Sequence, residues 1–210
     1  MMRILLVDDH EIVRRGLRQL LAERYPQAEF GEAGQLPAAR AAMTLSTWQL
    51  VVLDLNLPDG SGLELLAQGR QLLPATPVLV LSAYPEAEFA VRAFKQGAAG
   101  YLSKTSIADE MLLAVERVLA GGKYVSTALA EHLASTLGSD TAAAPHEALS
   151  PRELEVLCQV ASGHSIREVA ATLLLSEKTV ATYRSRISGK LGLSTNVELA
   201  RYALKHGLVS

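Results

Sequence analysis

Five side chains suited to phosphoryl or metal chemistry stand at or just beyond the ends of apolar runs. Asp8 and Asp9 follow RILLV (3–7), Asp54 follows LVVL (50–53), Ser82 follows PVLVL (77–81), and Lys104 lies just past AAGYL (98–102). Short, near-continuous hydrophobic segments read as strands covered on both faces, the habit of parallel sheets. In an open α/β sheet the carboxyl ends of such strands form the edge where ligands bind. Three carboxylates crowded on one edge repel, and burying them unpaired is costly. A hard divalent cation with oxygen ligands removes that conflict, and Mg²⁺ typically takes one or two carboxylates plus waters and phosphoryl oxygens. An ammonium and a hydroxyl facing the same spot suit a phosphoryl group, one by charge and the other by a hydrogen bond. In-line transfer to Asp54 would then be promoted by positioning and electrostatics. Taken singly, each residue has a plainer use: an Asp after a strand is most often a turn or helix N-cap residue, Ser82 another cap, Lys104 a solvated loop lysine. Their convergence from the ends of four strands is what points to chemistry.

The elements needed to place them alternate along the chain. From His10, apolar Ile12, Val13, Leu17, Leu20 and Leu21 recur at helical spacing, with Arg14, Arg15 and Arg18 on the other face. Residues 27–33 form a weaker strand, and 37–45 an Ala-rich helix. Beyond Asp54, Pro58-Asp59-Gly60 turns the chain into a helix over 62–73. A helix over 86–96 closes at Gly97, and another spans 107–120. Strands alternating with helices in this way imply a doubly wound, mostly parallel sheet of five strands. Gly121-Gly122 breaks the last helix; Ser126 caps a short one over 126–137; and GSDTAAAPHEA (138–148) has a boundary's composition. Domains are therefore expected at 1–122 and 149–210, with 123–148 a linker carrying a short helix.

The second domain reads as four helices. Ser150, Pro151 and Glu153 open the first, Ser165 caps the second, Ser176 the third, and Ser194 or Thr195 the fourth. A tight turn at Leu174-Leu175 before a polar third helix fits helix-turn-helix. That helix, EKTVATYRSRISGKL (177–191), offers Lys178, Arg184, Arg186 and Lys190 to phosphates, and Thr179, Thr182, Tyr183 and Ser185 to base edges, while Val180, Ile187 and Leu191 anchor it inward. By itself a charged helix face is usually only a solvated one.

Composition bounds the rest. Of 210 residues 49% are hydrophobic and 20% charged, enough for cores and unlike a disordered chain. The formal net charge of -2 hides a split. Residues 1–148 hold 12 Lys/Arg against 17 Asp/Glu, whereas 149–210 hold 8 against 5. A lone cysteine, Cys158, excludes an intramolecular disulfide or a cysteine zinc cluster and reads as a small core residue. No apolar stretch reaches the roughly 18 residues of a membrane span, and the start lacks a signal-peptide pattern, so a cytoplasmic protein is expected. His132 and His146 have no carboxylates at ligand spacing and are expected to be solvated.

LLVDDH (5–10), LDLNLPDGSGLEL (53–65), LSAY (81–84) and GAAGYLSK (97–104) resemble, in order and spacing, the signature blocks of bacterial response-regulator receivers. LSPRELEVL and ASGHSIREVAATLLLSEKTVATYRSRISGKLGL resemble the LuxR-type DNA-binding domain, so the whole chain is similar to the NarL/FixJ subfamily. That resemblance implies sheet order 2-1-3-4-5 and phosphorylation of Asp54 by a sensor histidine kinase or a small phosphodonor. It implies Mg²⁺ held by Asp8, Asp9, Asp54 and the carbonyl of Asn56, phosphoryl oxygens bound by Ser82 and Lys104, and Tyr101 as the switch aromatic. Lys178, Thr179, Thr182, Arg184, Ser185, Arg186 and Lys190 would face double-stranded promoter DNA, with a homodimer formed through the fourth helix. Ala181 and Gly189 depart from the family pattern, which often has basic residues there. An aspartyl-phosphate phosphohydrolase would need a second acid two residues after its nucleophile, where this chain has Asn56. A regulator working through unphosphorylated DNA binding, with the receiver as a dimerisation module, is the remaining alternative.

Overall fold

The apolar runs at 3–7, 50–53 and 78–81 are covered on both faces, as parallel strands joined by helical crossovers require. The structure, a computed structural model, describes residues 1–84, 86–137 and 144–209, with side chains left out at 87, 88, 108, 109, 132, 133 and 135–137. Strands β1 (Arg3–Val7), β2 (Glu29–Ala33), β3 (Leu50–Asp54), β4 (Val78–Ser82) and β5 (Gly100–Ser103) lie in the order β2-β1-β3-β4-β5. All four pairings are parallel, and their register brings the ends level: Val7 opposite Leu53, Asp54 opposite Leu81, Ser82 opposite Ser103. β2 and β5 are the edge strands, and β2 is the less buried of the two, with Glu29 and Glu32 exposed, so its apolar run is weak.

Helices α1 (Glu11–Arg24), α2 (Leu36–Leu45), α3 (Gly62–Leu72), α4 (Glu86–Lys95) and α5 (Ile107–Leu119) complete the first layer set. On one face Ile4, Leu6, Leu50, Val52, Leu79 and Leu81 pack with Leu17 and Leu21 of α1 and Met111, Ala114, Val115 and Val118 of α5. Between β3 and α3 a small hairpin, Asn56–Leu57 with Gly60–Ser61, carries the Pro-Asp-Gly turn. Gly62 then starts α3 hard against the strand end: a Cβ there would sit 2.4 Å from the Asp54 carbonyl oxygen and 2.6 Å from Leu55 Cα.

After α5 the chain turns at Gly121 and runs back beside β5. Tyr124 N–H donates to the Ala99 carbonyl (3.0 Å), and Tyr101 N–H donates to the Tyr124 carbonyl (3.3 Å). Lys123 Nζ donates to the Ala98 carbonyl, and the Tyr124 hydroxyl donates to Glu110 of α5. Ser126 Oγ donates to Glu86 Oε2 of α4 (2.7 Å) and accepts from Leu129 N–H (3.0 Å), so it caps α6 (Thr127–Leu137) while tying that cap to α4. The first compact unit runs from Met1 to Glu131.

In the second unit four capped helices follow one another: α7 (Pro151–Ala161), α8 (Ile166–Thr172), α9 (Glu177–Leu191) and α10 (Asn196–Lys205). Ser150, Ser165, Ser176 and Thr195 each accept a backbone N–H of the following first turn, satisfying donors that a helix start leaves open. Leu154, Leu157, Val169, Val180, Ile187, Leu199 and Leu208 form the core, and Cys158 is buried beside them. Arg152 and Glu155 form a buried pair at 2.6 Å, with Arg152 Nη2 also donating to the Leu173 carbonyl at 2.9 Å. One expectation is corrected here. His146 is not solvated but 2% exposed, its Nδ1 2.9 Å from the Tyr202 hydroxyl of α10. A short 3₁₀ turn, Pro145–Ala148, lays it against an aromatic partner 56 residues away, which local spacing does not announce. The side chain of His132 and linker residues 138–143 lie outside the described residues.

Candidate functional site

At the carboxyl edge of the sheet Asp8, Asp9, Asp54 and Lys104 meet. Asp8 and Asp54 are each 1% exposed, and Lys104 Nζ lies 2.7 Å from both Asp8 Oδ2 and Asp54 Oδ2. Lys104 follows β5 directly, and β3 lies between β1 and β4, so sheet order alone carries this lysine's long side chain back over the middle strand. Asp54 Oδ1 accepts the Asn56 N–H at 3.0 Å, bending the chain toward the hairpin. Donor atoms of Asp8, Asp9, His10 and Asp54 all fall within 4.8 Å of one another. His10 was not among the residues singled out in the sequence. Its N–H donates to Asp8 Oδ1 (2.8 Å), and its Nδ1 lies 2.6 Å from Asp9 Oδ1, the only prior signal being its place directly after the acid pair.

Electrostatics at this edge follow from burial. Burial pushes the Asp54 carboxyl up to about 6, with Asp8 adding to the effect and Lys104 opposing it. Burial alone would lower the Lys104 ammonium, but Asp54 and Asp8 outweigh it and hold it above the usual lysine value. Hard oxygen donors in excess of the Lys104 ammonium are what a divalent cation takes. Asn56 Oδ1 is buried beside them with no hydrogen-bond partner among the described residues, a further oxygen left over. The residues present therefore fit Mg²⁺.

Ser82 and Tyr101 are both fully buried and meet through a third residue. Tyr84 N–H donates to Ser82 Oγ (3.1 Å), the Tyr101 hydroxyl donates to the Tyr84 carbonyl (3.2 Å), and the Tyr84 ring stacks on Phe89 of α4 at 4.3 Å between centroids. Tyr84 thus joins the hydroxyl, the inward-turned aromatic and α4, a role that no local spacing signals.

The second candidate surface is α9. Lys178, Thr179, Thr182, Tyr183 and Arg186 line one open groove, with Ser185 exposed and Val180 and Ile187 buried behind them. Leu174, at φ +48°, makes the tight turn between α8 and α9. Two expected members are held elsewhere. Arg184 donates to Asn196 Oδ1 (2.8 Å) and the Ser194 carbonyl (3.0 Å), fixing the start of α10. Lys190 Nζ lies 2.6 Å from Glu153 Oε2 and 3.2 Å from the Ala148 carbonyl, fixing the start of α7. Among the described residues no helix is long and apolar enough to cross a membrane.

Comparison with known proteins fits this arrangement. Residues 4–116 match the response regulator receiver domain, and residues 147–203 match the bacterial regulatory proteins of the luxR family. Response regulator GacA of Pseudomonas aeruginosa is 34% identical over 215 residues, covering 100% of this chain and 98% of that protein. The chain is a LuxR-type response regulator. Response regulator UvrY of Escherichia coli (strain K12) is 32% identical to this regulator over 209 residues, covering 99% of it and 96% of UvrY. Among solved structures, RcsB from Salmonella enterica serovar Typhimurium, bound to promoter rprA in the presence of phosphomimetic BeF3-, is 25% identical with a TM-score of 0.65, covering 96% of this chain and 97% of that one. As a member of this family, the regulator belongs to a two-component system that controls transcription, combining a receiver with a LuxR-type DNA-binding domain.

Proposed function

We propose that Asp54 is the phosphoacceptor and that its phosphorylation governs the binding of α9 to promoter DNA. The observation carrying this reading is the meeting of Lys104 with Asp8 and Asp54 at 2.7 Å, from three separate strand ends, at a buried edge. An Asp54 carboxylate oxygen attacks phosphorus in line. The P–N bond of a phosphohistidine on a sensor kinase breaks, the imidazole leaves with its electron pair, and an acyl phosphate remains on Asp54. A small phosphodonor such as acetyl phosphate serves equally, with the P–O bond broken instead. Asp8, Asp9, Asp54 and the Asn56 carbonyl would hold Mg²⁺, which when bound neutralises charge on the phosphoryl oxygens. Lys104 supplies a second positive charge, and Ser82 Oγ a hydrogen bond, to those oxygens.

Once Ser82 Oγ is drawn to the phosphoryl group, it leaves the Tyr84 N–H, and Tyr84 is the acceptor that keeps the Tyr101 hydroxyl in place. A local charge change is thereby converted into a population shift of the β4–α4 segment. The consequences assigned to it are homodimerisation and DNA binding through Lys178, Thr179, Thr182, Ser185 and Arg186, with Arg184 and Lys190 shaping the surface from behind. RcsB bound to a promoter with a phosphomimetic is one precedent among its structural relatives. The division of labour falls between residues 1–122 and 149–210, joined by 123–148, in a cytoplasmic protein that is a switch and not a turnover enzyme beyond slow self-dephosphorylation. Incubation with acetyl phosphate and Mg²⁺ should add one phosphoryl group per chain, read as a mobility shift on a phosphate-affinity gel. Asp54→Asn should abolish it, and labelling that persists in that variant would remove Asp54 as the acceptor.

A further inference from the structure

We infer that Arg14 is a positioning residue for the acidic edge, holding the Asp8–Asp9 turn in the geometry that receives the divalent cation. This rests on the reading of that edge given above. Arg14 lies on α1, yet its guanidinium turns back under the turn that precedes the helix. Nη1 donates to the Asp8 carbonyl oxygen at 2.7 Å, and Nε donates to Glu32 Oε2 of β2 at 3.2 Å. On the other side of the same residue, Asp8 N–H donates to the Ala33 carbonyl at 3.1 Å. The Asp8 backbone is thus held from both ends, by α1 and by β2. The side chain is 15% exposed, against 76% for Arg15 and 60% for Arg18 on the same helix. Gly34 lies alongside, its position for a Cβ 3.4 Å from Arg14 Nη1 and 3.7 Å from the Asp8 carbonyl oxygen, ordinary contact distances.

The acceptor Arg14 uses belongs to the peptide that joins Asp8 to Asp9. Fixing that plane fixes the direction in which both Cα–Cβ bonds leave the chain, and hence where the two carboxylates can converge. Groups that orient ligands from behind tune a metal site as much as the ligands themselves. Arg14 also differs from Lys104 in what its charge does. Lys104 occupies carboxylate oxygens that a cation needs, whereas Arg14 spends its donors on a carbonyl and on Glu32. It remains a permanently charged neighbour that eases repulsion among the acids without competing for their oxygens.

Calorimetric titration of MgCl₂ into the full chain, with thermal unfolding in EDTA run alongside, tests this. Arg14→Ala should weaken Mg²⁺ binding on the order of tenfold, within the range found when residues supporting metal ligands are removed. Arg14→Lys should recover part of the loss, because an ammonium reaches the Asp8 carbonyl but cannot also span to Glu32. Arg15→Ala, which removes an exposed arginine of the same helix paired with Glu11 at 2.6 Å, should bind Mg²⁺ as the wild type does. At saturating Mg²⁺ the KM for acetyl phosphate should be unchanged in Arg14→Ala, while the Mg²⁺ concentration for half-maximal labelling rises. A folded Arg14→Ala chain with Mg²⁺ affinity within about twofold of wild type would overturn the inference. Should Arg14→Ala not fold, Glu32→Ala frees the same guanidinium, and an unaltered affinity there overturns it too. A wild-type chain that takes up no Mg²⁺ would instead sink the reading of the acidic edge itself.

Discussion

In the role proposed for it, Asp54 must meet two requirements that pull against each other: a nucleophile must be charged, yet this side chain is buried. Its carboxyl is pushed up to about 6, first by burial and then by Asp8, despite the ammonium of Lys104 at 2.7 Å. The sign of the pH effect follows. Between the ordinary aspartate value of 3.8 and about 6, the folded chain holds a proton that the unfolded chain has released. Folding is therefore helped at the acid end of that window, and the help is lost as pH rises through it. Two pKa units correspond to about 3 kcal/mol, an upper figure because the neighbouring charges respond together. In EDTA, the stability of the wild type relative to Asp54→Asn should fall from pH 4 to pH 6 and then level off, as measured by urea unfolding. A difference that is flat across the window would mean that Asp54 titrates normally and its burial carries no cost. With its carboxyl at about 6, Asp54 is mostly ionised at neutral pH, and Lys104 pairs with it.

Glycines decide how closely the elements approach. Gly62 brings the first turn of α3 against the Asp54 carbonyl, so Gly62→Ala should destabilise the first unit by about 1–3 kcal/mol, the usual cost of forcing an extra methyl into a packed site. The same change should slow labelling of Asp54, because the strand end itself must shift. Gly16, exposed in the middle of α1 with nothing within 4 Å of its missing Cβ, should behave oppositely: Gly16→Ala should raise stability by about 0.5–1 kcal/mol and leave labelling unchanged. Thermal unfolding of the pair, with the gel-shift rate, distinguishes a glycine needed for space from one that is not. These elements were largely legible in the sequence. Apolar runs and the turn at Pro58-Asp59-Gly60 are local signals, and sheet order then brings Asp8, Asp54 and Lys104 together. What was not legible depends on partners far along the chain. Arg14 reads as one of three arginines on a polar face, and only Glu32, 18 residues on, shows which one turns inward. Lys190 reads as a phosphate contact, and nothing local in the sequence shows that it also pairs with Glu153, 37 residues earlier. Tyr84 enters the sequence reading only as the last residue of LSAY (81–84), yet its backbone links Ser82 and Tyr101.

Over the whole molecule charge is divided, with 12 Lys/Arg against 17 Asp/Glu in residues 1–148 and 8 against 5 in residues 149–210. The excess of positive charge lies in the later part, and the proposed DNA surface draws on Lys178 and Arg186 of α9. Lys178→Ala and Arg186→Ala should each weaken DNA binding and flatten the plot of log affinity against log salt by about 0.9, one phosphate contact each. Lys190→Ala should leave that slope unaltered and lower the unfolding temperature, since it removes the partner of Glu153 at the α7 cap. Equal slopes for Lys178→Ala and wild type would move the DNA surface off α9. Lys123 to Ser126 has a different kind of consequence. Those residues close the flank of β5, with Tyr124 bonded to Ala99 and Tyr101. A fragment severed after Gly122 would bare that border, and a strand from another molecule could add itself there. Anyone wishing to handle the signalling half alone should cut beyond Ser126, or expect it to stick to itself.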